Sequence, residues 1–193
     1  MAITRLTGFE GGSSSEQLSL AGTYSFVTSG QRTGSYAWRC NPVTTATGTC
    51  YISAPVATGP LNSGAVPTLA DGSAVGFAFK AVTLPAANEE LIARCFGTTT
   101  TQWTITITSA GVLKLFYGTT AGTLLGTGAT VIGATYVYIE LRVNNTTNAY
   151  EVRVNGATEF SGTNAAITSN TEAFVILGKS LNTNGQSVDF YYD

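Results

Sequence analysis

The stretch YVYIELRV, residues 136 to 143, alternates without a break. Val137, Ile139, Leu141 and Val143 fall on one side, and Tyr136, Tyr138, Glu140 and Arg142 on the other. A period of two marks an extended strand with one buried face, because an amphipathic helix needs spacings of three and four. After NNTTN the pattern returns in AYEVRVNGATEFSG, where Tyr150, Val152 and Val154 alternate with Glu151 and Arg153. Asn155-Gly156 then supplies the two residues that a type I′ turn needs at positive φ, so the chain reverses into a further strand. A sequence with this ladder in its second half is committed to antiparallel β structure.

The rest of the chain agrees. TQWTITITSAGVLKLFYG reads as a second hairpin: Trp103, Ile105 and Ile107 face one way, and Thr104, Thr106 and Thr108 the other. Ser109-Ala110-Gly111 makes its turn, and Leu113, Leu115 and Tyr117 return on the apolar side. AVGFAFKAV (74–82) and LIARCF (91–96) are two more strands, separated by TLPAANEE, where Pro85 and Asn88 interrupt pairing. A short helix over AANEELIARC competes with the second of these, and the alternation of Leu91, Ala93 and Cys95 favours the strand. TYSFVT, SYAWRC and CYISA are short strands, followed by an irregular stretch over 55–73 of the kind that is usually functional or mobile. EAFVILG (172–178) and SVDFYYD (187–193) complete the set. A dozen or so short strands with regular turns and no linker predict one antiparallel sandwich or barrel domain over residues 1–193.

Composition narrows the partners. Hydrophobic residues make up 44% of the chain, ample for a core, but charged residues only 10%, against about a quarter in an average protein. Nine scattered Lys and Arg with a net charge of −2 do not form the basic face that nucleic acid requires. No run approaches the ~20 apolar residues of a membrane span. The start, MAITRLTGFEGG, lacks the apolar segment of a secretory signal, so the expectation is use without that export route or release as part of a particle. Cys40, Cys50 and Cys95 are an odd number for a disulfide framework. Cys40 and Cys50 flank NPVTTATGT and could face one another across a hairpin, but buried thiols are the expected state. The chain contains no histidine, which excludes Ser-His-Asp and Cys-His mechanisms.

TGFEGG, SGQRTGSYAWRC, FAFKAVTLPAANEELIARCF, ITSAGVLKLF, YVYIELRV, YEVRVNGATEF and the closing VDFYYD occur in an order that resembles the concanavalin A-like, laminin G-like jelly-roll domains over nearly the whole chain. The resemblance implies an all-β, antiparallel two-sheet jelly-roll β-sandwich with its first and last strands, ITRLTGFE (3–10) and VDFYYD (188–193), side by side. Phe190 and Tyr192 would share one face, and Asp189 and Tyr191 the other. It also implies a structural calcium ion where the ends meet, with Glu10, the Gly11-Gly12 carbonyls and Asp189 or Asp193 among its six to eight oxygen ligands. The competing account of these carboxylates is that edge charges discourage sheet-edge association.

Glycosidases on this fold need two carboxylates facing each other across the sugar. Here Glu140 and Glu151 are each followed two residues later by Arg, and Glu89 and Glu90 are adjacent, so no such pair is in place and the expectation is a non-enzymatic protein. Two roles remain. Similar small domains occur in tailed-phage structural modules, which implies a virion protein: a capsid decoration, cement or tail-associated subunit that binds the major capsid protein, a trimer or similar ring, with the 55–73 stretch reaching a neighbour. The alternative is a lectin-like module that binds glycans through Tyr136, Tyr138, Glu140, Arg142 and Tyr191, residues that could equally serve as cross-strand pairs or anchors of a protein interface. Trp38 and Trp103, flanked by alternating apolar residues, are expected in the core.

Overall fold

The computed structural model describes residues 19–22, 24–41, 50–55, 73–97, 101–144, 146–167, 172–179 and 187–193. Fourteen strands and no helix are present among them. In chain order they are β1 (Ser19–Gly22), β2 (Tyr24–Val27), β3 (Ala37–Cys40), β4 (Cys50–Pro55), β5 (Ser73–Thr83), β6 (Glu89–Gly97), β7 (Thr101–Thr108), β8 (Leu113–Tyr117), β9 (Thr123–Thr127), β10 (Val137–Asn144), β11 (Ala149–Val154), β12 (Ala157–Thr163), β13 (Glu172–Lys179) and β14 (Asp189–Tyr192). They form two seven-stranded antiparallel sheets, ordered β1-β4-β13-β6-β7-β8-β9 and β12-β11-β10-β5-β14-β3-β2. The fold is a two-sheet jelly-roll β-sandwich.

The alternating segments form the ladders expected of them. In β10, Ile139, Leu141 and Val143 are buried and Tyr138 is exposed. Glu140 opposes Arg153, and Arg142 opposes Glu151, across β11. The turn after β11 has Asn155 at φ 52° and Gly156 at φ 81°, the pair of positive values that lets a two-residue connection follow the strand twist. Asn155 also accepts a 2.8 Å hydrogen bond from the Tyr138 amide through Oδ1, which joins the turn to β10. The second hairpin pairs Trp103 with Tyr117, Ile105 with Leu115 and Ile107 with Leu113.

Between the sheets lies one apolar core that includes Trp38, Phe77, Phe79, Trp103, Ile105, Leu115, Ile139, Leu141, Phe190 and Tyr192. Both tryptophans belong to it. The Tyr192 ring lies 5.1 Å from Trp38 and 5.2 Å from Phe79, and its hydroxyl donates to the Ile92 carbonyl of the opposite sheet at 3.0 Å. Truncating a side chain this deep costs about 3–5 kcal/mol in a packed core.

One expectation needs correction, and others are refined. β14 is paired, but with β3 on one edge and β5 on the other. A strand has two edges, so no edge of Phe190–Tyr192 remains for residues 3–10, which lie outside the described residues. Cys40 and Cys50 do not face each other across a hairpin, because β3 and β4 belong to different sheets; Cys40 and Cys95 are buried. The strand reading of 91–96 holds, but a bulge between Leu91 and Ala93 shifts the parity. Leu91 therefore opposes Thr106, while Ala93 opposes Ile105 on the core side. Thr104 and Thr106 point away from the core yet are buried, at 1% and 0% exposure. Their hydroxyls are satisfied by the Gly118 carbonyl at 2.7 Å and Glu89 at 3.2 Å, which is what makes a buried hydroxyl tolerable. The 56–72 part of the irregular stretch lies outside the described residues.

Candidate functional site

The register of the second sheet determines which side chains share its outer face. Arg39 of β3 opposes Tyr191 of β14, and Tyr191 opposes Lys80 of β5. Ala78 and Gly76, the next outward positions on β5, oppose Tyr138 and Glu140 of β10. Tyr136 follows one step beyond the Val137–Phe79 pair, beside Lys80. The face therefore carries Tyr136, Tyr138, Tyr191, Arg39, Lys80, Glu140, Arg142, Glu151 and Arg153. Four of the chain's nine cations, Arg39, Lys80, Arg142 and Arg153, stand on it.

At its centre Lys80 sits between two tyrosines. Its ammonium is 4.7 Å from the Tyr136 ring centroid and 4.4 Å from that of Tyr191, both within cation–π range. It also donates to the Gly30 carbonyl at 2.6 Å. Burial holds the Lys80 pKa below its ordinary value, with the Asp189 charge acting against that. Tyr136 is pushed well above the ordinary tyrosine range, chiefly by burial and then by Asp193 and Tyr191. Its hydroxyl is buried without a hydrogen-bond partner among the described residues. Burial and the nearby Asp189 charge also raise Tyr191, so both groups are neutral phenols.

Tyr138 is shaped by its neighbour. It is 38% exposed, and its phenol end lies over Gly76, where an added Cβ would fall 2.3 Å from the Tyr138 hydroxyl. A strand residue with no side chain thus makes room for a ring that leans across the strand and offers its other side to solvent.

The remaining ions on the face are paired. Arg39 holds Asp189 through two 2.8 Å bonds, which raise the Arg39 pKa and are the bidentate geometry guanidinium favours. Arg153 holds Glu151 at 2.8 Å, and Arg142 lies 3.9 Å from Glu140. The Thr158 hydroxyl at 2.6 Å, together with Arg153, keeps the Glu151 carboxyl below its usual range.

The residues singled out from sequence divide into groups. Tyr136 and Tyr191 come together around Lys80. Tyr138 lies along the same face, while Glu140 and Arg142 join a lattice of alternating charge with Glu151 and Arg153. Asp189 is engaged by Arg39, and Asp193 accepts from the Arg32 and Thr33 amides at 2.6 and 2.9 Å. Both carboxylates accept from N–H donors. Among the described residues no three His, Cys, Asp or Glu side chains converge on a metal position; Glu10, Gly11 and Gly12 lie outside them. Sequence reading missed Lys80 and Arg39. The signal for Lys80 was present, as it is the single charged residue within AVGFAFKAV.

No protein-family model matches the chain, and no curated protein sequence does. Solved structures do. The chain aligns over 90% of its length with a binding domain of botulinum neurotoxin DC in complex with rat synaptotagmin II, at a TM-score of 0.62 and 10% identity. The same toxin's binding domain in complex with SialylT gives a TM-score of 0.58 at 11% identity. In both cases the chain spans 42% of the matched chain. An endo-β-1,4-glucuronan lyase from the fungus Trichoderma reesei matches over 92% of this chain and 89% of its own, with a TM-score of 0.59 and 15% identity. At these identities the likeness is one of fold.

Proposed function

We propose that this protein is a non-catalytic binding module that takes a saccharide on the outer face of its second sheet. The observation that carries this reading is the Tyr138–Gly76 arrangement beside the Tyr136–Lys80–Tyr191 cluster. An exposed ring lying over a glycine offers an apolar plate to the C–H face of a sugar, and the flanking amino, guanidinium and carboxylate groups offer partners to its hydroxyls. Glycines also lie against rings at Gly126–Phe160 and Gly162–Tyr150, and what sets Tyr138 apart from plain cross-strand pairing is its exposure on the face that holds the Tyr136–Lys80–Tyr191 cluster. Solved structures of the same fold include one seen with SialylT and one whose name is that of a glucuronan lyase, which supports saccharides as the ligand class. Support for a non-catalytic role comes from the carboxylates. Asp189 has both oxygens on Arg39, and Glu151 is held ionised, so neither stands ready to protonate a leaving group. A glycan array followed by calorimetry tests the proposal. Binding at millimolar or better affinity that Tyr138→Ala abolishes supports it, and an array without a hit removes it.

A virion role, as a capsid decoration or tail-associated protein that binds the major capsid protein, is favoured by a different feature. Val131 and Leu124 are 71% and 49% exposed, and Leu124 belongs to the first sheet, away from the tyrosine face. Apolar side chains left in solvent suit a protein neighbour. Co-sedimentation with particles that Leu124→Ser with Val131→Ser disrupts, and Tyr138→Ala does not, would select this reading over the saccharide one.

A further inference from the structure

Resting on the saccharide reading above, we infer that Lys80 reads a carboxylate, so that the ligand of this face is a sugar bearing an acidic group. The inference comes from a charge balance on the face. Each of its guanidinium groups has its own carboxylate: Arg39 has Asp189, Arg142 has Glu140 and Arg153 has Glu151. Lys80 has none. Its contacts are the Gly30 carbonyl and the faces of two neutral phenols, and the nearby Asp189 already gives both oxygens to Arg39. An ammonium has three N–H donors, and one is used. Among the described residues Lys80 is therefore the one cation of the face without an ion pair, set between the rings of Tyr136 and Tyr191; the Asp193 carboxylate of the same sheet is held by the Arg32 and Thr33 amides.

The surroundings hold it in place for this task. The Gly30 carbonyl fixes the end of a side chain that otherwise has four rotatable bonds, so less freedom is lost when a ligand binds. Gly30 itself has φ 79°, and a Cβ there would lie 2.8 Å from the Lys80 nitrogen. Only glycine lets the segment approach so closely. A carboxylate arriving over the two rings would meet an oriented positive charge with unused donors. A neutral sugar would meet the same plates but would leave the charge unanswered.

The test uses two matched pairs of probes: β-1,4-tetraglucuronate against cellotetraose, and 3′-sialyllactose against the methyl ester of its sialate. The members of each pair differ in the presence of the carboxylate. The inference expects the acidic member of at least one pair to bind about tenfold more tightly at low salt, the scale of one charge-assisted hydrogen bond. The two pairs separate a uronate from a sialate as the source of the carboxylate. Lys80→Met, which keeps the apolar stem under the rings, should erase that preference by weakening the acidic probe far more than the neutral one, while Lys80→Arg should retain much of it. Unchanged melting of Lys80→Met establishes that the fold is intact; if it melts early, Gly30→Ala, which displaces the ammonium from outside the sheet, replaces it. Equal binding of acidic and neutral probes, with Tyr138 still required, overturns the role of Lys80 and leaves the saccharide reading standing. Absence of binding to all four probes, together with an array without a hit, overturns both.

Discussion

Gly76→Ala separates the binding face from the fold. The glycine lies mid-strand in β5, and its φ is outside the left-handed region, so alanine there carries no backbone strain. Reduced freedom of the unfolded chain would by itself stabilise the variant by about 0.4–1 kcal/mol. The added Cβ, however, would sit 2.3 Å from the Tyr138 hydroxyl and 2.9 Å from Cζ. To restore ordinary contact the phenol end must move by roughly 1 Å, and it can do so because it is the far end of an exposed side chain rather than backbone. The two effects offset each other. Net stability should change by less than about 1 kcal/mol, or about 2–4 °C in melting temperature for a chain of this size. Binding should not escape so lightly. If Tyr138 is a stacking plate, tilting it removes about 1 kcal/mol of aromatic contact, roughly fivefold in Kd. Calorimetry with the best array ligand, alongside a thermal melt, measures both quantities. An unchanged Kd, with NMR showing the Tyr138 ring displaced, would refute its role as a plate. A melting temperature lowered by more than about 6 °C would refute the claim that the ring is what yields.

Three further outcomes concern stability. Glu159 clamps the 129–130 segment through the Ala129 amide, the Thr130 amide and the Thr130 hydroxyl. Burial acts to raise its pKa, but these bonds outweigh it and hold the carboxyl below its ordinary value of 4.5. Its stabilisation is thus present above pH 4.5 and lost as pH falls through the lower folded value. Glu159→Gln should cost about 1–2 kcal/mol at pH 7, and melts across pH 7 to 3 should show the gap to the parent protein closing below pH 4.5. Tyr192→Phe removes the donor to the buried Ile92 carbonyl and should lower stability by about 1–2 kcal/mol in urea titrations. Asn155→Ala puts at φ 52° a residue that tolerates the left-handed region less well than asparagine and loses the bond to the Tyr138 amide, for about 2 kcal/mol; Asn155→Gly, which loses only the bond, should recover about half of it.

How much of this was legible in the sequence depends on whether the signal is local. The β10–β11–β12 meander was readable because its information lies within neighbouring residues: alternation fixes the face, and Asn155-Gly156 fixes the reversal. β9, Thr123–Thr127, went unrecognised because TLLGT neither alternates nor buries a clean face. The bulge in β6 escaped because one extra residue inverts parity without changing composition. The neighbours of β14 were misjudged for a different reason. Period two states which side of VDFYYD is buried, and Phe190 and Tyr192 are indeed the buried pair, but it is silent on which strands occupy the two edges. Those are Ala37–Cys40 and Ser73–Thr83, about 110 to 150 residues back along the chain, and no local rule reaches that far. The site follows the same division. Tyr136 to Arg142 lie in one run, β10 and the residue before it, and were found together, whereas Lys80 and Arg39 join Tyr191 only through those remote pairings.

The insertion of β14 is also what gives the face its chemistry. Without Tyr191 between them, Arg39 and Lys80 would stand on strands with no common neighbour, and Lys80 would have a ring on one side only. Once β14 is in place, its Asp189 neutralises Arg39 and its Tyr191 shields Lys80 without neutralising it. Two cations of the same sign, flanking one strand, are thereby given opposite roles: one becomes part of the scaffold and the other remains available to a ligand. In a chain with few charges, the paired arginines leave Lys80 as the one cation without an ion pair among the described residues of the face, while the Asp193 carboxylate is held on backbone amides. That is a selective arrangement, because a face studded with uncompensated cations would attract any polyanion, whereas one oriented charge between two aromatic plates requires both a carboxylate and an apolar surface from the same molecule.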